Sequence, residues 1–100
     1  MARTKVAERK DIEPGSGLIV DAGGQTLALF NVDGRFYAID NSCPHRGGPL
    51  GDGQLDDAIV TCPWHGYRYD VRTGAHQPDA SFNVPCYPVT VEAGSVYVNV

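Results

Sequence analysis

Two short segments, each with one cysteine followed closely by one histidine, restrict the possible folds of this chain most. The first, CPHRGG, covers residues 43–48, and the second, CPWHGY, covers residues 62–67. Sixteen residues lie between the histidine of the first and the cysteine of the second. Two thiolates and two imidazoles make a complete ligand set for a metal centre. The predicted ligands are Cys43, His45, Cys62 and His65.

Proline and glycine residues indicate that both segments are tight loops. Pro44 and Pro63 follow the cysteines directly, and a proline fixes its own φ and has no N–H to donate. Gly47, Gly48 and Gly66 allow the backbone to turn sharply and to direct amides at a bound group. We therefore expect two similar loops that hold one cofactor between them.

Two metal centres are compatible with this pattern. Tetrahedral zinc accepts two cysteines and two histidines, but zinc fingers usually pair their cysteines in one loop and their histidines on a helix. Each loop here contains one ligand of each kind, and no helical pattern follows. This mixed arrangement favours a binuclear iron centre in which one iron takes both thiolates and the other both imidazoles. Zinc remains the alternative.

The two segments and the residues that follow them resemble the Rieske iron–sulfur family. The similar stretches are CPHRGGPL over residues 43–50 and CPWHGYRYD over residues 62–70. The whole chain is similar to the small Rieske ferredoxins that deliver electrons to aromatic-ring dioxygenases. The resemblance implies one [2Fe-2S] cluster per chain, with Cys43 and Cys62 on one iron and His45 and His65 on the other.

The resemblance also implies which residues surround the cluster. Tyr69 matches a tyrosine that hydrogen-bonds a ligand sulfur, although simple packing explains it equally well. Trp64 is either a docking surface or a cap, and a loop containing Pro78 is expected to cover the cluster. Backbone amides are candidate donors to the sulfurs near Arg46, Gly48, Trp64 and Gly66.

Departures from the high-potential branch of the family predict a low reduction potential. That branch has an additional cysteine in each loop, where this chain has Gly48 and Trp64, and a serine where this chain has Tyr67. Hydrogen bonds and dipoles that point at the cluster favour its reduced form. The potential is therefore expected at the negative end of the Rieske range, which spans about −150 to +300 mV.

Charge and length exclude several classes of function. The chain has 100 residues, a net charge of −4 and a pI near 5.1, which gives nucleic-acid binding no electrostatic support. Four of the eight basic residues fall in the first ten positions, and eleven of the twelve acidic residues follow them. An acidic body suits steering towards a basic partner, with ordinary solubility as the competing explanation. Asp52, Asp56 and Asp57 are candidate steering groups.

The sequence shows no membrane span, signal peptide or disulfide framework. Its longest apolar candidate, residues 27–30, has the length of a strand. With Cys43 and Cys62 as ligands, Cys86 is the one cysteine left, and we expect a packed or edge-strand thiol. His76 is expected at the surface. A cytoplasmic monomer is the resulting expectation.

The strand pattern predicts an all-β Rieske fold. Strands are expected near residues 4–8, 18–20, 25–32, 35–39, 58–61, 68–71, 85–91 and 96–100, with Asp33-Gly34 as a hairpin turn and residues 75–80 as a loop. The base, an antiparallel sandwich or open barrel, is predicted from residues 1–40 and 80–100. A small cluster-binding subdomain, residues 41–79, is predicted between these two parts of one domain.

The predicted function is that of a one-electron carrier and not of an enzyme. The resemblance implies a flavin-dependent reductase as electron donor and a terminal ring-hydroxylating oxygenase as acceptor. The alternatives are a zinc-stabilised interaction module and the Rieske-like small subunit of a nitrite reductase, a class in which many members lack the ligands.

Overall fold

The computed structural model describes residues 3–43, 47–64, 66–77 and 83–99, and these residues form three antiparallel sheets. Two 3-10 turns, Arg9–Asp11 and Leu50–Asp52, interrupt the strands. The strands within these described ranges are β1 (Arg3–Glu8), β2 (Ser16–Ala22), β3 (Gln25–Val32), β4 (Arg35–Asp40), β5 (Gln54–Asp56), β6 (Ile59–Thr61), β7 (Arg68–Asp70), β8 (His76–Gln77), β9 (Cys86–Tyr87), β10 (Val89–Glu92) and β11 (Ser95–Asn99). The all-β prediction is confirmed.

The sheets are built from strands in the orders β1-β11-β10, β2-β3-β4-β9 and β5-β6-β7-β8. The meander of β2, β3 and β4 was predicted, and its second turn has positive φ at both Asp33 and Gly34. Two-residue hairpin turns of this kind match the right-handed twist of the flanking strands. The last strand pairs with the first, so the two ends of the chain share one sheet.

Strand β3 belongs to two hydrophobic cores at once. Leu27 and Leu29 lie in the core between the first two sheets, together with Val96 and Val98 of β11. The alternate residues Ala28 and Phe30 lie in a second core with residues of the third sheet. Successive side chains of a strand point to opposite faces, so a strand buried on both faces must be apolar throughout. This explains the continuous apolar run, in which all four side chains are fully buried.

The third sheet is formed by a segment that leaves the second sheet and returns to it. The chain leaves at the end of β4 and comes back as β9, which pairs with β4 through Ala38 opposite Tyr87. The Asp40 N–H donates to the Pro85 carbonyl at 3.0 Å, so the two ends of the segment are neighbours. The division into a base, residues 1–40 and 80–100, and a cluster-binding subdomain, residues 41–79, stays a prediction.

Two predictions of local structure were wrong. Residues 75–80 were expected to form a loop, but His76 and Gln77 form β8 against β7. Residues 85–91 were expected to form one strand, but they form β9 and β10, which belong to different sheets. Pro88 lies between the two and has no N–H for a ladder bond.

Candidate metal centre

The backbone of the first cysteine loop is closed by hydrogen bonds between its two ends. The Cys43 N–H donates to the Gly48 carbonyl at 2.9 Å, and the Gly47 N–H donates to the Cys43 carbonyl at 2.6 Å. Below this pair, Asn41 accepts from Leu50 N–H through its carbonyl and from Gly51 N–H through its side-chain oxygen, each at 2.8 Å. The two ends of the loop are therefore held together by these hydrogen bonds, which continue as a short antiparallel ladder to Asn41.

The second cysteine loop repeats these bonds residue for residue. The Cys62 N–H donates to the Tyr67 carbonyl at 2.7 Å, and the Gly66 N–H donates to the Cys62 carbonyl at 3.1 Å. Gly47 and Gly66, the fourth residue after each cysteine, both have a φ of 75°. This conformation is costly for residues with a Cβ, so the glycines are required by the backbone. The expectation of two similar loops is met in the described parts of both.

Gly48 is needed for a different reason, because it lies where the two loops touch. A Cβ added there would lie 2.7 Å from the Cys62 sulfur and 3.1 Å from Cγ of Trp64. Both distances are closer than ordinary packing allows. A residue with a side chain at this position would push the loops apart.

Both cysteines are buried beneath an exposed rim. Cys43 and Cys62 have about the exposure of core residues, and neither forms a disulfide. Gly47, Pro63 and Gly66 are exposed, and the Trp64 side chain is 56% exposed. The thiols thus lie shielded from water but only a few residues from the surface.

A buried tyrosine connects the first loop to the third sheet. The Tyr69 hydroxyl lies 3.3 Å from the Cys43 sulfur, and the tyrosine side chain is fully buried. The pKa of Tyr69 lies well above its ordinary value, mainly because the side chain is buried. The hydrogen bond to Cys43 raises this pKa further. The phenol therefore keeps its proton and is available as a donor to a thiolate.

Next to Tyr69, an acidic side chain fixes the end of β7. Asp70 accepts two hydrogen bonds from the Arg72 guanidinium, at 3.0 and 2.8 Å, and one from its backbone N–H at 2.9 Å. The bond to the guanidinium is the main reason that the pKa of Asp70 is lowered. Sequence analysis did not select this pair. The sequence does show an aspartate near the end of a predicted strand with an arginine two residues later, a spacing that allows the two side chains to pair.

Several predicted residues lie elsewhere or differ in their contacts. His45, Arg46, His65 and Pro78 lie outside the described residues. Among those described, no group of three or more His, Cys, Asp and Glu side chains forms a metal site. The Gly66 N–H already donates to the Cys62 carbonyl, which argues against its predicted role as a donor to sulfur.

His76 and Cys86 were both placed outside the ligand set. His76 is half-buried and packs on two tyrosine rings, so the prediction of a surface histidine was wrong. Cys86 is exposed on β9, which ends its sheet, as the edge-strand prediction stated.

The geometry fits a cofactor that takes one thiolate from each of two facing loops. Residues 2–88 match the family of Rieske [2Fe-2S] domains. The chain belongs to the Rieske family. The resemblance identified from the motifs is thereby confirmed, and zinc loses its support as the resident metal.

Two relatives of this chain are ferredoxins of dioxygenase systems. The chain is 38% identical over 91 residues to the 3-phenylpropionate/cinnamic acid dioxygenase ferredoxin subunit of Escherichia coli K12, covering 89% of this chain and 85% of the relative. It is 41% identical over 83 residues to the naphthalene 1,2-dioxygenase ferredoxin component of Pseudomonas putida, covering 82% and 80%.

Solved structures give the same fold. A complex of reduced oxygenase and oxidised ferredoxin in carbazole 1,9a-dioxygenase contains a chain that superposes with a TM-score of 0.88 at 33% identity, covering 96% of this chain and 91% of that one. The small subunit of an NADH-dependent nitrite reductase from Mycobacterium tuberculosis, described as putative, also matches, with a TM-score of 0.90 at 27% identity. The fold is thus shared by both classes, and the higher identities belong to the ferredoxins. No helix in the described ranges is long and apolar enough to cross a membrane.

Proposed function

We propose that this protein is the ferredoxin component of an aromatic-ring dioxygenase system and carries one electron at a time. The observation that supports this most is the pair of matched loops with one buried thiol each, Cys43 and Cys62, directly beneath an exposed rim. Named relatives at 38–41% identity have this role. A [2Fe-2S] cluster held there supplies reversible one-electron chemistry.

The ligands of this cluster are proposed to be Cys43 and Cys62 together with His45 and His65. The described residues contribute a narrow site shielded from solvent: both cysteines are buried, and Gly48 allows the loops to approach each other. Excluding water limits side reactions of the reduced state and strengthens each hydrogen bond to sulfur. The absence of the extra cysteines at Gly48 and Trp64 supports a potential at the negative end of the range.

The partners are proposed to be a flavin-dependent reductase and a terminal oxygenase, with the chain acting as a monomer in the cytoplasm. A similar ferredoxin forms a complex with its oxygenase, which supports the acceptor. The rim next to Cys62 offers a suitable contact, because the Trp64 ring packs against Gly48 while more than half of the side chain remains exposed. Exposed aromatic side chains are common anchors in protein interfaces.

The test uses the reconstituted full chain. Its iron and sulfide content and visible spectrum are measured first, and the midpoint potential is then determined by redox titration. The reduced protein is next mixed without oxygen with the oxidised Rieske oxygenase of an aromatic dioxygenase system, and reoxidation is followed by absorbance. We expect two irons per chain, a negative midpoint and rapid reoxidation. Bound zinc, or a midpoint well above zero, would contradict the proposal.

A further inference from the structure

Three aromatic side chains, those of Tyr67, Tyr69 and His76, contact one another in a row beside the third sheet. In the β7–β8 ladder, Tyr69 lies directly opposite His76, and Tyr67 precedes Tyr69 by two residues. Directly opposite residues of a ladder share a face, and Tyr67 lies one residue before β7 begins. The His76 ring centroid lies 5.3 Å from those of both tyrosines, with interplanar angles of 41° to Tyr67 and 59° to Tyr69. The imidazole is thus in contact with both rings.

Tyr69, at one end of this row of aromatic rings, reaches the predicted cluster ligand Cys43. The Tyr69 hydroxyl lies 3.3 Å from the Cys43 sulfur. A cysteine that binds a metal does so as a thiolate, which has no proton, so the phenol must be the donor in this bond. A hydrogen bond to sulfur weakens steeply when its distance or angle changes. The tilt of the Tyr69 ring therefore controls the strength of the bond.

The backbone of His76 is held from two sides. On one side it pairs with β7, and on the other its N–H donates to the Asn83 side-chain oxygen at 3.3 Å. The chain next to it is fixed as well, because Val84 N–H donates to the Gly74 carbonyl at 2.8 Å. A Cβ at Gly74 would collide with the Val84 carbonyl, so only glycine fits this contact. The imidazole is therefore presented to the tyrosines from a fixed position.

We propose that His76 is a positioning residue for electron transfer: its ring holds the Tyr69 hydroxyl on the Cys43 sulfur and thereby helps to set the reduction potential. This inference rests on the proposed role of Cys43 as a cluster ligand. The added electron increases the negative charge at the sulfurs, which a well-placed donor stabilises. Loss of the imidazole gives the tyrosine ring room to tilt, so the bond to sulfur weakens and the potential falls.

The experiment measures midpoint potentials in two backgrounds. His76→Ala and His76→Leu are expected to lower the potential, whereas His76→Phe, which keeps a flat ring, is expected to retain most of the wild-type value. Gln77→Ala is the matched control, because Gln77 is the next residue of β8 and points to the opposite face. The same His76 substitutions are then made together with Tyr69→Phe, which removes the hydroxyl but keeps the ring.

The double variants decide the result. If His76 acts through the hydroxyl, Tyr69→Phe lowers the potential by itself, and His76→Ala or His76→Leu adds no further decrease. An equal decrease in both backgrounds, or no decrease in the wild-type background, would overturn the proposal. A decrease with His76→Phe as large as with His76→Ala would do the same. A wild-type protein that binds no iron–sulfur cluster would instead refute the proposed function at the loading step.

Discussion

The two cysteine loops have the same backbone and different surroundings at the sulfur. Each loop uses two hydrogen bonds at the same positions relative to its cysteine, and each has a glycine with a φ of 75° four residues later. The Tyr69 hydroxyl lies 3.3 Å from the Cys43 sulfur, whereas the glycine backbone of Gly48 approaches both the Cys62 sulfur and the exposed Trp64. The shared backbone suits holding a cofactor. The difference suggests a division in which the first loop adjusts the potential and the second meets the partner.

Removing either thiol tests the shared part and should have the largest effect. Cys43→Ser and Cys62→Ser are each expected to abolish the normal cluster and to destabilise the third sheet, because metal binding and folding are coupled. Cys86→Ser serves as the control, since its thiol is exposed on an edge strand. Iron content and visible spectra measure the outcome. Retention of the cluster in Cys62→Ser with loss in Cys86→Ser would show that the ligands are wrongly assigned.

Two glycine substitutions distinguish the two reasons why a glycine is needed in these loops, namely lack of space for a side chain and a positive φ. Gly48→Ala places a Cβ against the Cys62 sulfur and the Trp64 ring, so we expect a large loss of iron per chain. Gly66→Ala meets no atom within 4 Å and is opposed only by its positive φ, at a cost of about 1–2 kcal/mol. It should lower the melting temperature but retain the cluster. Equal iron loss in both variants would show that backbone strain, and not crowding, governs the contact between the loops.

Substitution of the tryptophan should affect docking and leave the potential nearly unchanged. Trp64→Ala removes an exposed aromatic anchor, and such residues contribute about 2 kcal/mol or more to binding, which corresponds to a thirtyfold weaker complex. Trp64→Phe is the matched control and should lose less. Binding to the oxygenase and the midpoint potential are measured on the same samples. A large shift in potential with unchanged binding would identify Trp64 as a cap over the cluster.

Salt should have the smallest effect of the four, and its test compares an acidic residue close to the first loop with one at the far end of β6. Electron transfer from the reductase to this protein is expected to slow as ionic strength rises, because salt screens the electrostatic steering of the two proteins. Asp52 closely follows the first loop, whereas Asp57 lies in the turn before β6, at the end of that strand opposite to Cys62. We therefore expect Asp52→Asn to reduce the salt dependence more than Asp57→Asn. Rates that are independent of salt would rule out steering.

Much of the fold could be predicted because local patterns coincide with tertiary roles. The bounds of β3 agree with the predicted 25–32, since an apolar run ending at a two-residue turn leaves few alternatives. By contrast, β8 has only two residues, His76 and Gln77, with no apolar alternation. Its pairing with β7 is a tertiary contact, which no local pattern in so short a segment marks. His76 was assigned to the surface because it lies outside the Cys/His ligand pattern, and the strand that contains it was not predicted.

The candidate site was predictable in its residue types but not in its contacts. The spacing of cysteine and histidine indicated the loops, and the need for glycine at Gly47 and Gly66 follows from turn geometry. Gly48 was expected to help the chain turn, but it is required because another loop approaches it. Tyr67 was considered only as a replacement for serine, whereas its ring packs against His76. Tyr67→Ser would change both features, so it does not test either one alone.

The two ends of the cluster-bearing segment meet at Asp40 and Pro85, and this affects the entropy of the chain. Because Asp40 and Pro85 are hydrogen-bonded neighbours, the whole segment is a loop whose closure is provided by the base and not by the cluster. The entropy lost on closing a flexible loop changes slowly with length, by about 0.6 kcal/mol for each doubling. Residues can therefore be added to or removed from the outer turns of this segment at little cost to the β4–β9 closure. In terms of chain entropy alone, the β4–β9 pairing can therefore close cluster-bearing segments of different lengths.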